Sequence, residues 1–229
     1  MLEPFAEGIW IADGPVVATA GFRYPTRMAI IRLSTGSLFV WSPTPLLPEL
    51  RAQVDALGPV RFIVAPNSLH HLFIGDWARI YTDALLFAPP RLRRKRPELA
   101  FHGDLTDVAD AGWSEDIDQA VVRGSWITTE VVFFHRPSAT VIFADLIQHF
   151  SRTWFSGWRA LVARLDLMTE PEAEVPRKFR IAFLNRRAAR TAVRRILAWP
   201  ARRVLMAHAE PITRNGGDFI ARRFRWLRV

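Results

Sequence analysis

The sequence predicts an α/β fold, a mixed β-sheet structure covered by helices. Three observations carry that reading. Between residues 37 and 64 an apolar run, a helical stretch and a second apolar run follow directly, the strand–helix–strand unit from which parallel and mixed sheets are built. Three short apolar runs end in polar groups able to bind a metal: Val60–Val64 leads into Ala65-Pro66-Asn67-Ser68-Leu69-His70-His71, Val141–Ala144 into Asp145, and Val204–Ala207 into His208. Residues 150–200 carry apolar side chains at intervals of three and four, the period of an amphipathic helix.

The elements follow in order. Residues 8–41 read as a β meander, with a strand at Gly8–Ala12, a turn at Asp13-Gly14-Pro15, and apolar strands at Met28–Leu33 and Ser37–Trp41 joined by a tight Ser34-Thr35-Gly36 connection. Leu47, Leu50, Val54 and Leu57 mark one face of a helix that Gly58-Pro59 stops. His70 and His71 open a second helix with Leu72, Phe73 and Trp77 on its apolar side. Successive helical residues point about 100° apart, so only one histidine of the pair faces a common pocket. Residues 80–112 read as a short strand at Ile80-Tyr81 and then an exposed basic excursion around Arg91–Arg96, with His102 at the surface. A hairpin follows: Val131–Phe134, a turn at Arg136-Pro137-Ser138, then Thr140–Ala144. Trp154, Phe155, Trp158, Leu161, Val162 and Leu165 form a stripe expected to pack on the sheet or on a subunit partner. Residues 186–198 form a helix with alanine and aliphatic residues inward and arginines outward, ahead of a last strand at Arg203–Met206. A basic helical tail spans about 213–229.

Composition narrows the function classes. The chain has 229 residues, half of them apolar, which suits one sizeable domain over 1–229 better than two small ones. There is no cysteine, hence no disulfide and no thiolate metal ligand. No apolar run reaches the roughly 20 residues needed to span a bilayer, and Met1–Glu7 lacks the basic and apolar regions of a signal peptide, so a cytoplasmic location is expected. The net charge of +9 comes almost wholly from arginine, since Lys95 and Lys178 are the only lysines. The arginine clusters read first as solvated helix faces. No nucleic-acid-binding motif accompanies them, so nucleic acid is a disfavoured partner; peripheral membrane contact, a homo-oligomer and an anionic small-molecule substrate stay open.

Histidine and aspartate at strand ends offer nitrogen and oxygen donors suited to Zn, Mn or Fe(II). A metal held this way acidifies its bound water and so supplies a hydroxide nucleophile. Each residue also has a simpler role. Asp145 can cap a following helix. His208 can sit satisfied in a loop. His149, four residues after Asp145, can share a helix face and pair with that carboxylate.

The order of these parts resembles the metallo-β-lactamase superfamily over about residues 8 to 212. Its members have a strand ending in His-x-His-x-Asp-His, a later hairpin ending in Gly-Asp and a still later strand ending in Gly-His. Here Ala65-Pro66-Asn67-Ser68-Leu69-His70-His71, Phe143-Ala144-Asp145-Leu146 and Met206-Ala207-His208-Ala209 stand in those places. The resemblance is to an uncharacterised branch with a degenerate motif. It implies an αββα sandwich of two mixed β-sheets flanked by helices. Asn67 and Leu69 stand where the first two histidines belong, and residues 123–129 contain no histidine, so a reduced, mononuclear site is implied. His71, Asp145 and His208 are the expected ligands, with Asn67 as a substitute, and His70 or His149 is the expected proton carrier beside Asp145. The implied activity is metal-dependent hydrolysis of an ester, thioester or similar bond with one divalent metal. The alternative is a catalytically degenerate member that binds a small anion or a protein partner without metal.

Overall fold

The computed structural model describes residues 1–229. Eleven strands form two mixed sheets. The first sheet has seven strands in sequence order: β1 (Glu3–Ala6), β2 (Ile9–Thr19), β3 (Phe22–Arg32), β4 (Leu38–Trp41), β5 (Val60–Val64), β6 (Leu85–Ala88) and β7 (Phe101–Asp104). Its first four strands are antiparallel, and β4 through β7 run parallel. Three helices cross between the parallel strands: α1 (Pro48–Leu57), α2 (Ile74–Ile80) and α3 (Pro90–Lys95). The second sheet has the order β11 (Arg203–His208), β10 (Thr140–Gln148), β9 (Glu130–His135), β8 (Ile117–Val122), with β10 and β11 parallel. Helices α4 (Trp158–Leu165), α5 (Arg177–Ala182), α6 (Arg186–Leu197) and α7 (Gly216–Phe224) complete the chain, and a 3-10 turn at Arg225–Leu227 follows α7.

The alternation of side chains along the strands builds the layers. In β4, Phe39 and Trp41 point to the other sheet while Leu38 and Val40 face the helices of their own side. In β10, Ile142 and Ala144 point between the sheets while Val141 and Phe143 face the later helices. Strands apolar on both faces can only be buried on both faces. Helices α1, α2 and α3 cover the first sheet, and α5, α6 and α7 cover the second, giving an αββα sandwich. Trp113 sits at the heart of the layer between the sheets. Its ring centroid lies 5.2, 5.0 and 4.8 Å from those of Phe39, Phe62 and Phe87, all in edge-to-face contact.

Several expectations are corrected. Residues 13–15 do not turn; β2 continues through them, and its pairing with β3 skips a residue between Gly14 and Val16. Gly14 permits this because a Cβ there would lie 2.5 Å from Thr26 Oγ1. The true turn is Ala20-Gly21, both at positive φ, so β2 and β3 form an eleven-residue ribbon. Ile80-Tyr81 ends α2 instead of forming a strand, and the basic excursion contains α3 and leads into β7, because Leu92 and Phe101 supply buried anchors. Helix α2 begins at Ile74, so His70 and His71 lie in the preceding loop and Leu72 is exposed. Of the six stripe residues at 154–165 only Phe155 is buried, so within this chain the stripe does not pack on the sheet; α4 lies outside the sandwich and turns Ala160 and Ala163 toward it.

Replacing Trp113 with alanine empties the contact of three aromatic rings. We expect a loss of about 3–5 kcal/mol of unfolding free energy, read from urea denaturation. A loss below about 1 kcal/mol would contradict this account of the inter-sheet core.

Candidate metal centre

The site lies where the strand ends of both sheets meet. The carboxyl ends of parallel strands are natural ligand positions, because the chain leaves the sheet there in loops with free side chains. Strand β5 ends at Val64, and Ala65-Pro66-Asn67 continues across the gap, where Val131 N donates to Pro66 O at 2.8 Å. Arg27, paired with Asp13, donates to Met206 O and Ala209 O at 3.1 and 2.7 Å, which fixes the end of β11 against β3.

Strand β10 delivers Asp145 through a break in its own ladder. Its pairing with β11 runs evenly from Thr140 to Phe143 and resumes at Gln148 opposite His208, so residues 144–147 stand across from Ala207 alone. Its pairing with β9 stops at Ile142 opposite Phe133. The backbone N–H groups left over by this bulge are taken by Glu130, the first residue of β9. Glu130 Oε1 accepts from Ala144 N at 2.9 Å, and Oε2 accepts from Asp145 N at 2.7 Å and Leu146 N at 3.2 Å. A side-chain carboxylate thus replaces a strand, and the bulge turns Asp145 into the pocket.

Asn67 joins the same network. Its Oδ1 accepts from Leu69 N (2.8 Å) and His70 N (3.1 Å), which fixes the orientation of the amide. Its Nδ2 then donates to Asp145 Oδ2 at 2.7 Å and Glu130 Oε2 at 3.3 Å. The turn held by Oδ1 sends His70 back toward the strand ends.

Three groups converge as a result. His70 Nε2 lies 3.2 Å from Asp145 Oδ2, and His208 Nε2 lies 3.3 Å from Asp145 Oδ1. One ligand atom from each of His70, Asp145 and His208 falls within 4.8 Å of the others. The outer ring nitrogens are anchored: His70 Nδ1 to Ser42 Oγ at 2.7 Å and His208 Nδ1 to Pro25 O at 2.9 Å. Such outer contacts are what orient metal-binding histidines.

The converging histidine is therefore His70, where His71 was expected. His71 Nδ1 faces Arg96 Nη1 at 2.9 Å. Burial and the neighbouring Lys95 and Arg96 charges lower its pKa to about 4, so it remains neutral near pH 7. His149 Nε2 meets Glu170 O at 2.8 Å and borders a separate cavity, so it stands apart from Asp145 despite the spacing of four. Residues 145–148 are strand, and the shared helix face does not form. Asn67 reaches Asp145 through its amide nitrogen, a donor that leaves no lone pair for a cation there. Glu130, absent from the expected set, is fully buried at the centre of the site. His102 is exposed, and His135 closes the far end of β9 against Ser138 Oγ at 2.8 Å.

The charges interact strongly. Burial alone would raise the Asp145 pKa, but His70 and His208 hold it well below the usual carboxylate range. Burial opposes charge on His70, and the Asp145 and Glu130 carboxylates outweigh it, raising the His70 pKa. Burial prevails at His208, whose pKa is lowered. Burial and the Asp145 charge push Glu130 up, while the Ala144 and Asp145 amides pull the other way. A cavity of about 240 Å³ opens over the cluster. Tyr24, Leu69, Ile127 and Phe179 give it a largely apolar wall, and Lys178 is its cation.

Because both Glu130 oxygens face N–H donors, Glu130→Gln must turn an NH₂ toward at least one of them. We expect a cost of about 1–3 kcal/mol in urea unfolding. Wild-type stability in that variant would contradict the role assigned to Glu130.

The comparisons with known proteins bear on the fold and the family. A family model described as "Domain of unknown function (DUF4336)" matches residues 7–157. No curated protein sequence matches the chain. Among solved structures, TMB-1 aligns with a TM-score of 0.66 at 10% identity, covering 97% of this chain and 95% of its own. A metallo-β-lactamase from Pontibacter korlensis aligns at 0.63 and 12%, covering 100% and 98%. The metallo-β-lactamase FIM-1 from Pseudomonas aeruginosa, in its mono-zinc form, aligns at 0.62 and 12%, covering 97% and 93%. At such identities the likeness establishes the fold. The chain has the metallo-β-lactamase fold and belongs to the DUF4336 family.

Proposed function

We propose that the chain is a metal-dependent hydrolase-like protein whose mononuclear site is formed by His70, Asp145 and His208. One observation carries the reading. The Pro25 carbonyl can only accept, so His208 Nδ1 bears a proton and its Nε2 is the nitrogen turned toward the cluster. That nitrogen lies 3.3 Å from a carboxylate oxygen, where a proton or a metal cation would join the two, and burial disfavours the extra proton by lowering the His208 pKa. Two imidazoles and one carboxylate, without sulfur, suit zinc and also manganese or iron(II), and three protein ligands leave a position open. FIM-1, which shares this fold, is described in a mono-zinc form, which supports a single-metal reading here.

A divalent cation held there supplies Lewis acidity toward a carbonyl group and toward water. The chain's own residues supply the rest. Glu130 and Asn67 orient Asp145. Burial keeps the Tyr24 hydroxyl protonated by raising its pKa, and Lys178 Nζ approaches its oxygen at 3.3 Å. Tyr24 is thus free to donate into the cavity, where it would hold the oxygen of an ester, thioester or similar group. Lys178 suits a substrate with a negative charge, although Asp166 at 3.1 Å neutralises part of its own. The apolar wall suits an acyl or aryl body.

The test is metal content per chain on untagged protein purified without chelators, followed by a screen of aryl esters and thioesters. We expect about one zinc, manganese or iron per chain, lost in His70→Ala and His208→Ala and retained in His71→Ala, with metal affinity falling at least about 100-fold in the first two. A folded protein that takes up none of these ions would leave His70, Asp145 and His208 as an ion-paired cluster, and the chain as a non-catalytic binder of the same fold. Metal loss in His71→Ala alone would return the site to the other histidine.

A further inference from the structure

Helix α4 presents its apolar stripe to solvent. Trp158, Leu161, Val162 and Leu165 lie at i, i+3, i+4 and i+7, one face of the helix, and are 60, 59, 39 and 58% exposed. Trp154, just before the helix, is exposed beside them. Single exposed apolar side chains are ordinary, but a continuous row on one face of an element marks a contact surface.

The rim of this row is cationic. Arg152, Arg159 and Arg164 are exposed on and beside α4, as is Arg23 near the β2–β3 turn, and none of the four meets a carboxylate. Arg159 lies over the Trp158 ring, 4.7 Å from its centroid, and donates to Gly21 O at 2.6 Å. Asp166 at the end of the helix is taken by Lys178.

This charge pattern selects among occupants. Pairing α4 with α4 of a second copy would set arginines against arginines with no acidic group on the patch to relieve them. A nucleic acid would engage the rim and leave the apolar row in water. An anionic lipid surface satisfies both: the row enters the acyl boundary, tryptophan occupies the interface, and the arginines meet phosphates. Eight residues span about 12 Å, a length that lies in an interface and does not cross it. No helix of the chain is long and apolar enough to cross a membrane.

We propose that α4 and the β2–β3 turn dock the protein on an anionic membrane surface. The turn connects the patch to the cavity. Phe22 packs edge-on against Trp158 at 5.7 Å, and Thr19, Ala20 and Tyr24 of the same ribbon line the cavity wall. Docking therefore brings the cavity mouth beside the lipid, where an amphiphile reaches it without crossing water. This inference stands apart from the metal site and needs no activity to test.

The experiment is co-sedimentation of the full chain with vesicles of phosphatidylcholine alone and of phosphatidylcholine mixed with phosphatidylglycerol. We expect pelleting with the mixed vesicles only, weakened by salt. Leu161→Asp and Leu165→Asp should each cut the bound fraction about tenfold at unchanged melting temperature, since both side chains already face water. Arg159→Glu combined with Arg164→Glu should weaken binding and flatten its salt dependence. Protein that stays in the supernatant with both vesicle types overturns the proposal, as does equal pelleting with both. Leu161→Asp pelleting like wild type would reduce the contact to adsorption of a polyanion. A dimer seen by sedimentation equilibrium and dissolved by Leu161→Asp, without vesicle binding, would show that a second copy covers the face.

Discussion

The Glu130 carboxylate holds the site together. Where β10 leaves both neighbouring strands, three successive amides lose their ladder partners, and one side chain from the head of β9 takes all three. Buried amides without partners are costly, so the bulge and the carboxylate imply each other. The bulge in turn decides where Asp145 points, and Asp145 decides where His70 and His208 meet. A carboxylate buried at the base of the site thus governs the geometry above it without lining the cavity.

The electrostatics follow from that placement. Two carboxylates lie close together, bridged by the amide of Asn67. Their mutual repulsion is relieved by backbone amides below and imidazoles above. The result is a site with fixed negative charge and two oriented nitrogen donors, surrounded by Trp41, Tyr24 and Phe150. Apolar walls strengthen every charge interaction within. The same walls favour an apolar ligand body, which agrees with a mouth that opens beside an exposed apolar helix.

Much of this was legible in the residues, and the gaps have physical causes. Asp145 and His208 stood out because an apolar run that ends in a ligand type is visible along the chain. The helix at 186–197 was visible because five arginines and four small or aliphatic residues separate cleanly by angle. Glu130 was hidden, since a glutamate heading an apolar strand resembles an ordinary solvent boundary, and backbone amides 14 to 16 residues later leave no mark in a sequence. The choice between His70 and His71 depended on whether they begin a helix or precede one, and an Asn67 side-chain bond settled that. For α4, periodicity revealed an apolar face but not whether anything covers it.

Asn67 constrains what its own position can hold. One amide performs four tasks: two backbone N–H groups are accepted on one side and two carboxylates are joined on the other. An imidazole has two ring nitrogens and cannot perform all four. A histidine at this position would release the loop that aims His70 and separate the carboxylates in one step. Position 67 therefore couples the turn, the carboxylate pair and the aim of His70, and a substitution there disturbs all three at once.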